Sequence, residues 1–326
     1  MSVGFRIVLS AVLVGILVWS LDLGELLRLM AAASPAPLGV AFLFLLLQQA
    51  LMILAWWELL AAKGAALRLT RVGYVFLVSN FLSVFLPSSA AGDVLRVYGV
   101  SGQTRCPEDA LSSMLVLRYV GLLTMLGFGL VAAVLPRGTR DVPTEAAVAL
   151  LFLGALGAPF GMAHGRIRRW VGGMVRPWPR IHGVLQQLHR SILEYRRVPR
   201  TLARVGAYSV GFHLLRIATF YFVGVSLGIS VELLAYFLYI PVIFLAAMLP
   251  VSVAGLGIAE GGFVFMFLRL GLPPVAGLSL SLLAFALSLG VVLLGGVCYL
   301  AGGPLRQTQA APSDPGKGKG ALPSRG

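Results

Sequence analysis

Arginine, histidine and carboxylate side chains occur in this chain where hydrophobic sequence makes them expensive. Arg118 lies about two turns into the apolar run Leu111 to Leu135, and Arg216 lies near the middle of Val205 to Leu227. His213 stands three residues before Arg216, on the same helical face. A charge at the centre of a membrane helix costs roughly 2.5 to 3.5 kcal/mol on insertion scales, so these side chains face a partner or polar surroundings rather than lipid. A guanidinium suits phosphate, because its planar fork binds oxygens in pairs and it stays charged in low dielectric. The chemistry on offer is the binding of an anionic headgroup by Arg96, Arg118 and Arg216. Asp93, Glu260 and His213 would then pair with the arginines or exchange protons. Ion pairing that merely ties helices together is the competing reading, since buried charges are normally paired.

Asp93 and Glu260 each follow a break of the same spelling. Leu86-Pro87-Ser88-Ser89-Ala90-Ala91-Gly92 and Leu249-Pro250-Val251-Ser252-Val253-Ala254-Gly255 share L-P-x-S-x-A-G, 163 residues apart. Proline removes a backbone donor and glycine frees the chain, so a membrane helix broken this way must satisfy its loose polar groups within protein or around a cavity. Paired breaks in the two halves of a membrane protein mark a binding site. Gly92, Gly255 and Gly257 permit close backbone approach and could also present amides to an anion. Asn80 is expected to satisfy backbone near the first break.

These groups sit in a hydrophobic chain. With 326 residues, 58% of them hydrophobic and 12% charged, and a mean hydropathy of +0.91, it is an integral membrane protein rather than a soluble domain. Pro37 to Leu60, Leu111 to Leu135, Thr144 to Ala163, Val205 to Leu227 and Val275 to Ala301 each reach the roughly 20 residues a spanning helix needs. Strict alternation, the mark of a barrel strand, is missing. Cys106 and Cys298 offer no disulfide framework, and the four histidines show no ligand spacing, so neither a metal nor another cofactor is expected.

The net charge of +14 is concentrated. Ten arginines fall between His164 and Arg204 against one acid, Glu194, which makes 164–204 a cytoplasmic loop. Ile181, Val184, Leu185, Leu188, Ile192 and Tyr195 recur there at helical spacing and suggest an amphipathic helix on anionic headgroups. Nucleic acid fits this charge less well, because hydrophobic spans flank it closely. Trp56 and Trp57, beside Glu58 and Lys63, read as an aromatic belt at the interface. Ile7 to Leu21 reads as a first membrane helix, and 304–326 as a disordered cytoplasmic tail.

Charge parity then fixes a topology. Were Val72 to Ala91 a full crossing, the arginine loop would lie outside, so Val72 to about Gly99 is expected to dip in from the cytoplasm and return. Leu233 to Leu270 would dip from the outside, although two crossings there leave parity unchanged. The expected fold is all-α and polytopic: six full spans plus two broken or re-entrant hairpins, a possible inverted-topology repeat, with both termini in the cytoplasm.

Asn80, Leu86-Pro87 and Gly92-Asp93-x-x-Arg96, then Arg118, then Pro250-x-Ser252-x-x-Gly255-Leu256-Gly257-x-x-Glu260 together resemble the lysylphosphatidylglycerol synthase transmembrane region, a flippase-like family, over most of residues 1–303. The family shows a double glycine at each break, where this chain has Ala91-Gly92 and Ala254-Gly255. The resemblance implies a protein of the inner (cytoplasmic) membrane that moves a phospholipid or lipid-linked sugar between leaflets, with membrane lipids as its partners. Full-length synthases add a soluble aminoacyl-transfer domain, whereas here a short tail follows, so no enzyme is expected. No Walker-type loop for nucleotide is present. Two other classes stay open. One is a non-transporting scaffold of a lipid or envelope-glycan pathway; the other is an intramembrane enzyme acting on lipid phosphate, for which the sequence offers no nucleophile held beside a base.

Overall fold

Four prolines open the four long helices of the computed structural model, which describes residues 23–86, 91–102, 104, 107–135, 141–163, 187, 190–248, 257–302 and 305. In chain order the helices are α1 (Leu23–Ala31), α2 (Pro35–Ala62), α3 (Leu69–Ser83), α4 (Ala91–Ser101), α5 (Pro107–Val134), α6 (Val142–Ala163), α7 (Pro199–Ser226), α8 (Leu233–Met248), α9 (Ile258–Arg269) and α10 (Pro274–Gly302). No strand occurs among the described residues. The run Ile7 to Leu21, Cys106, most of both breaks including Gly255, the greater part of the arginine-rich loop and the tail after 305 lie outside them.

Proline suits the first helical position, where its missing N–H has no partner to lose and its fixed φ is already helical. Pro35, Pro107, Pro199 and Pro274 all stand there. The stops of α2 and α7 are also alike. Gly64 and Gly228 adopt φ of 76° and 70°, and the next amides, of Ala65 and Ile229, reach back to the carbonyls of Leu60 (3.2 Å) and Gly224 (3.0 Å). This six-to-one closure needs a left-handed residue, which glycine supplies without a Cβ clash.

Helix lengths run through one series twice. From α2 to α5 they are 28, 15, 11 and 28 residues, and from α7 to α10 they are 28, 16, 12 and 29. At 1.5 Å per residue the long members measure about 42 Å, more than the ~30 Å hydrocarbon layer. The short ones, at roughly 16 to 24 Å, fall below it. By length and composition α2, α5, α7 and α10 can each cross a membrane, and α6 is apolar over Val142–Gly157.

α2 and α7 lie antiparallel along their whole length. The Ser34 amide bonds to the Ser226 carbonyl (2.8 Å) at one end, Gln48 bonds to Thr219 (2.9 Å) midway, and Arg204 pairs with Glu58 (2.9 Å) at the other. The short helices turn back on each other. α4 crosses α3 where Gly99 meets Val75, and α9 crosses α8 where Gly262 meets Ile243. Each hairpin's first arm then packs on the long helix of the opposite set, α3 on α10 and α8 on α5. Small residues make these contacts close, as packing in membranes requires where lipid is as apolar as leucine. Trp56, Leu59, Phe76 and Met114 fill one apolar cluster; Phe220, Tyr236, Phe263 and Phe267 fill the other.

Three local expectations change. Trp56 is buried core rather than interface, its Nε1 donating to Ser113 Oγ (3.2 Å), and Trp57 donates to the Leu67 carbonyl (2.9 Å). α7 starts at Pro199, six residues before the apolar run, because Arg200 and Arg204 occupy its outlying first turns. The described end of the arginine-rich loop, helical over 190–195, rests on protein. There Tyr195 is buried and donates to the Leu59 carbonyl (2.9 Å), while Lys63 pairs with Glu194 and with Asp109 (3.5 Å). Burial, then the charges of Asp109 and Glu194, push the Tyr195 phenol up.

Candidate functional site

The first break lets α4 begin afresh inside the protein. Asp93 falls in its first turn, where the exposed amides favour an acid, and Arg96 follows one turn later on the same face. Asp93 Oδ1 accepts from Arg96 Nη1 (2.7 Å), and Oδ2 accepts from Arg118 Nε (2.8 Å) with Arg118 Nη2 in ion-pair contact at 2.7 Å. Arg96 Nη2 also donates to Asn80 Oδ1, and Asn80 Nδ2 donates to Gln49 Oε1 (3.0 Å). The result is a polar chain, Gln49–Asn80–Arg96–Asp93–Arg118, that threads α2, α3, α4 and α5. Arg96 is buried, its guanidinium 4.0 Å from the Phe76 ring, and its Nε makes no hydrogen bond among the described residues. Gly92 allows the start of α4 this near to α3, since a Cβ there would stand 3.3 Å from Ser83 Cβ.

Arg118 leaves this chain half open. Its side chain is 43% exposed, and Nη1 makes no hydrogen bond among the described residues. On α7, Arg216 is its charged neighbour. The Arg216 guanidinium lies 4.9 Å from the Phe212 ring and 4.3 Å from the Phe244 ring, and among the described residues it has no hydrogen bond and no ion pair. His213, buried one turn before it, bonds to the backbone of Gly121 on α5. Thus Arg96, Arg118, Arg216, Asp93 and His213 come together where α4, α5 and α7 meet.

Glu260 has a different setting. It is buried in the first turn of α9, and its Oε2 accepts from the Gly257 amide (2.6 Å), with Gly257 at φ 83°. No ion pair to Glu260 occurs among the described residues, so its visible work is capping its own helix. Among the described residues no three His, Cys, Asp or Glu side chains gather as a metal would need.

Asn80 and Gln49 hold side chains in the site rather than loose backbone. A second polar centre, at the start of α6, went unread in the sequence. Asp141 accepts from Arg269 Nη2 (2.6 Å), Tyr239 Oη (2.6 Å) and Thr144 Oγ1 (2.7 Å), tying both arms of the second hairpin to α6. Asp141-Val142-Pro143-Thr144 carries a capping signal, but nothing in it names Arg269, 128 residues away. Burial alone would raise the Asp141 carboxyl, yet the bonds from Arg269, Tyr239 and Thr144 together hold it below the usual carboxylate range. A lowered native pKa stabilises fully above the unfolded value, about 3.9, and that stabilisation fades as the pH falls toward the native value. In detergent, the unfolding temperature of the native protein should therefore drop from pH 4 downward more than that of Asp141→Asn. Parallel profiles would show that the carboxylate contributes nothing.

A chain of this composition, with helices long and apolar enough to cross several times, is a multi-pass membrane protein. Neither a curated relative nor a solved structure matches it. The family model described as the lysylphosphatidylglycerol synthase TM region does, over residues 3–296; the chain belongs to that family, and its function lies with membrane lipids.

Proposed function

We propose that the protein moves a lipid with an anionic headgroup between leaflets, the headgroup passing Arg118 and Arg216 while the chains stay in the bilayer. Arg216 carries this reading. It is a guanidinium in the middle of a spanning helix with a second arginine beside it and, among the described residues, no carboxylate of its own. Placing a charge there is costly unless something cancels it part of the time, and a passing phosphate does so. Helix-tying alone accounts for Asp93 with Arg96 and Arg118, but not for Arg216.

The path we infer is an inverted pair of hairpins. Support comes from the doubled length series and from its registers: α2 and α7, like α3 and α8, start 164 residues apart (35 and 199, 69 and 233). α4 and α9, like α5 and α10, start 167 apart (91 and 258, 107 and 274), so the second hairpin gains three residues before its second arm, one in α8 and two in the break. The antiparallel run of α2 against α7 is what opposite insertion of the two halves requires. On these registers Asp93 answers to Glu260, but Gln49, Asn80 and Arg96 answer to His213, Phe244 and Phe263. One half has kept a polar interior and the other an aromatic one. With the arginine-rich loop inside, both termini are cytoplasmic and the membrane is the inner one. Asp93, Glu260 and His213 are the groups placed to exchange protons during the cycle.

Reconstitution tests this directly. Liposomes carrying the protein and a fluorescent phosphatidylglycerol should equilibrate the label between leaflets at least tenfold faster than empty liposomes, and Arg216→Gln should remove most of that gain. Equal rates with and without protein, across several anionic lipids, would overturn the proposal. A scaffold would keep its function in the Arg216→Gln form.

A further inference from the structure

The arginine site holds more positive charge than its own residues cancel. Arg96, Arg118 and Arg216 face one carboxylate, Asp93, whose two oxygens are already bonded to the first two. The other acids among the described residues are engaged or placed elsewhere, and only Asp22 and Asp314 lie outside them. Glu58 pairs with Arg204, Asp109 and Glu194 with Lys63, Asp141 with Arg269, and Glu260 takes the Gly257 amide. Glu25, Glu108 and Glu145 stand in first turns of helices, and Glu232 precedes α8. Neither 87–90 nor 249–256 contains an acid. Among the described residues the site is thus two charges positive, in surroundings where an uncancelled charge is costly.

Each class of headgroup cancels a different amount of this charge. A zwitterionic headgroup brings no net charge, and a phosphodiester brings one negative charge. A phosphate monoester brings about −1.5 to −2 at neutral pH and three strong acceptor oxygens. The donors left free among the described residues match: Arg118 offers Nη1, and Arg216 offers its whole fork, held between the rings of Phe212 and Phe244. Arg96 is already committed to Asp93, Asn80 and Phe76, so it fixes Asp93 and leaves the ligand to the other two.

We infer that Arg118 and Arg216 form a site for a doubly charged phosphate monoester at the head of a lipid, in preference to a phosphodiester or a zwitterion. This rests on the transport reading for its purpose but not for its measurement. Binding is read on the full chain in detergent at pH 8, as the shift in unfolding temperature with dioctanoyl phosphatidate, dioctanoyl phosphatidylmethanol, dioctanoyl phosphatidylcholine and inorganic phosphate. The methyl ester differs from phosphatidate by one charge and one carbon. Phosphatidate should act at concentrations at least tenfold lower than the methyl ester, with phosphatidylcholine and inorganic phosphate without effect. Arg118→Gln and Arg216→Gln should bring phosphatidate to the level of the methyl ester, Arg216→Lys should keep part of the preference, and Arg204→Gln should keep all of it. Equal potency of phosphatidate and its methyl ester in the native protein overturns the inference, as does a preference that survives both glutamine variants. Inorganic phosphate as potent as phosphatidate assigns the site to free phosphate and overturns the lipid. A clear monoester preference in detergent beside absent transport in liposomes sinks the transport reading and leaves the site standing.

Discussion

Asp93→Asn lowers the stability of the protein by about 3 to 5 kcal/mol, the range for a buried pair broken from one side. The loss comes from what is left behind. Arg96 stays buried with Asn80 and the face of Phe76, and Arg118 loses both of its contacts with the carboxylate. Arg118 accounts for the smaller part, because its exposed side chain is screened. Three guanidinium groups then share a region with no acid at all. Thermal unfolding in detergent measures the effect, and a double-mutant cycle assigns it. Adding Arg96→Gln to Asp93→Asn should cost far less than the sum of the two single changes, because the second removes the charge the first exposed. Strict additivity would mean that Asp93 and Arg96 are not coupled and that α4 is held by packing alone.

Gly295→Ala comes second, at about 3 kcal/mol or more. Alanine in a helix is ordinarily worth up to 1 kcal/mol over glycine, so the expected sign is set by space. A Cβ at Gly295 would lie 2.8 Å from the Leu77 carbonyl carbon and closer still to its oxygen. Those are backbone atoms, which no side-chain rotation can move away. Separating α10 from α3 would also disturb Gly296 against Phe81 and Gly302 against Tyr74, both on the same seam. Gly154→Ala, in α6 with nothing within 4 Å of the added methyl, is the matched control and should be neutral or slightly stabilising. A Gly295→Ala protein that unfolds at the native temperature would show that the seam can open without cost.

The long helices were legible because their signals are local. Twenty apolar residues in a row need no partner to be read, and prolines at helix starts with glycines past the ends mark where the chain turns. The extra turns of α7 before Val205 were hidden because Arg200 and Arg204 read as loop. The composition of Leu233 to Leu270 permitted either two crossings or a dip; α9, at 12 residues, is too short to cross.

The site was legible as residue types and not as pairs. Arg118 and Arg216 stood out by the cost of their positions, whereas the bond from Arg118 to Asp93 spans 25 residues and a break, and nothing local encodes it. Asn80 read as a partner for loose backbone for the same reason, since an amide bonds to whatever the fold brings near, here Arg96 and Gln49. Arg269 followed the second break much as Arg96 follows the first, yet it pairs across to Asp141 on α6 rather than within its own helix.

The unlike interiors of the two hairpins bear on direction. An unaided carrier obeys microscopic reversibility, so no arrangement of polar and aromatic walls can make net flow run one way; that requires a gradient or a chemical sink. In a carrier of the kind proposed, the asymmetry would set where along the path a headgroup rests. Beside Gln49, Asn80 and Arg96 it would meet polar side chains, and beside Phe220 it would meet rings, Phe263 stacked on it at 4.8 Å between centroids and Phe244 tilted at 5.6 Å. On the proposed transport reading, the resting point is displaced toward the half that carries Gln49, Asn80 and Arg96. On that reading the slow step of a crossing, whichever way it runs, is the passage over the rings.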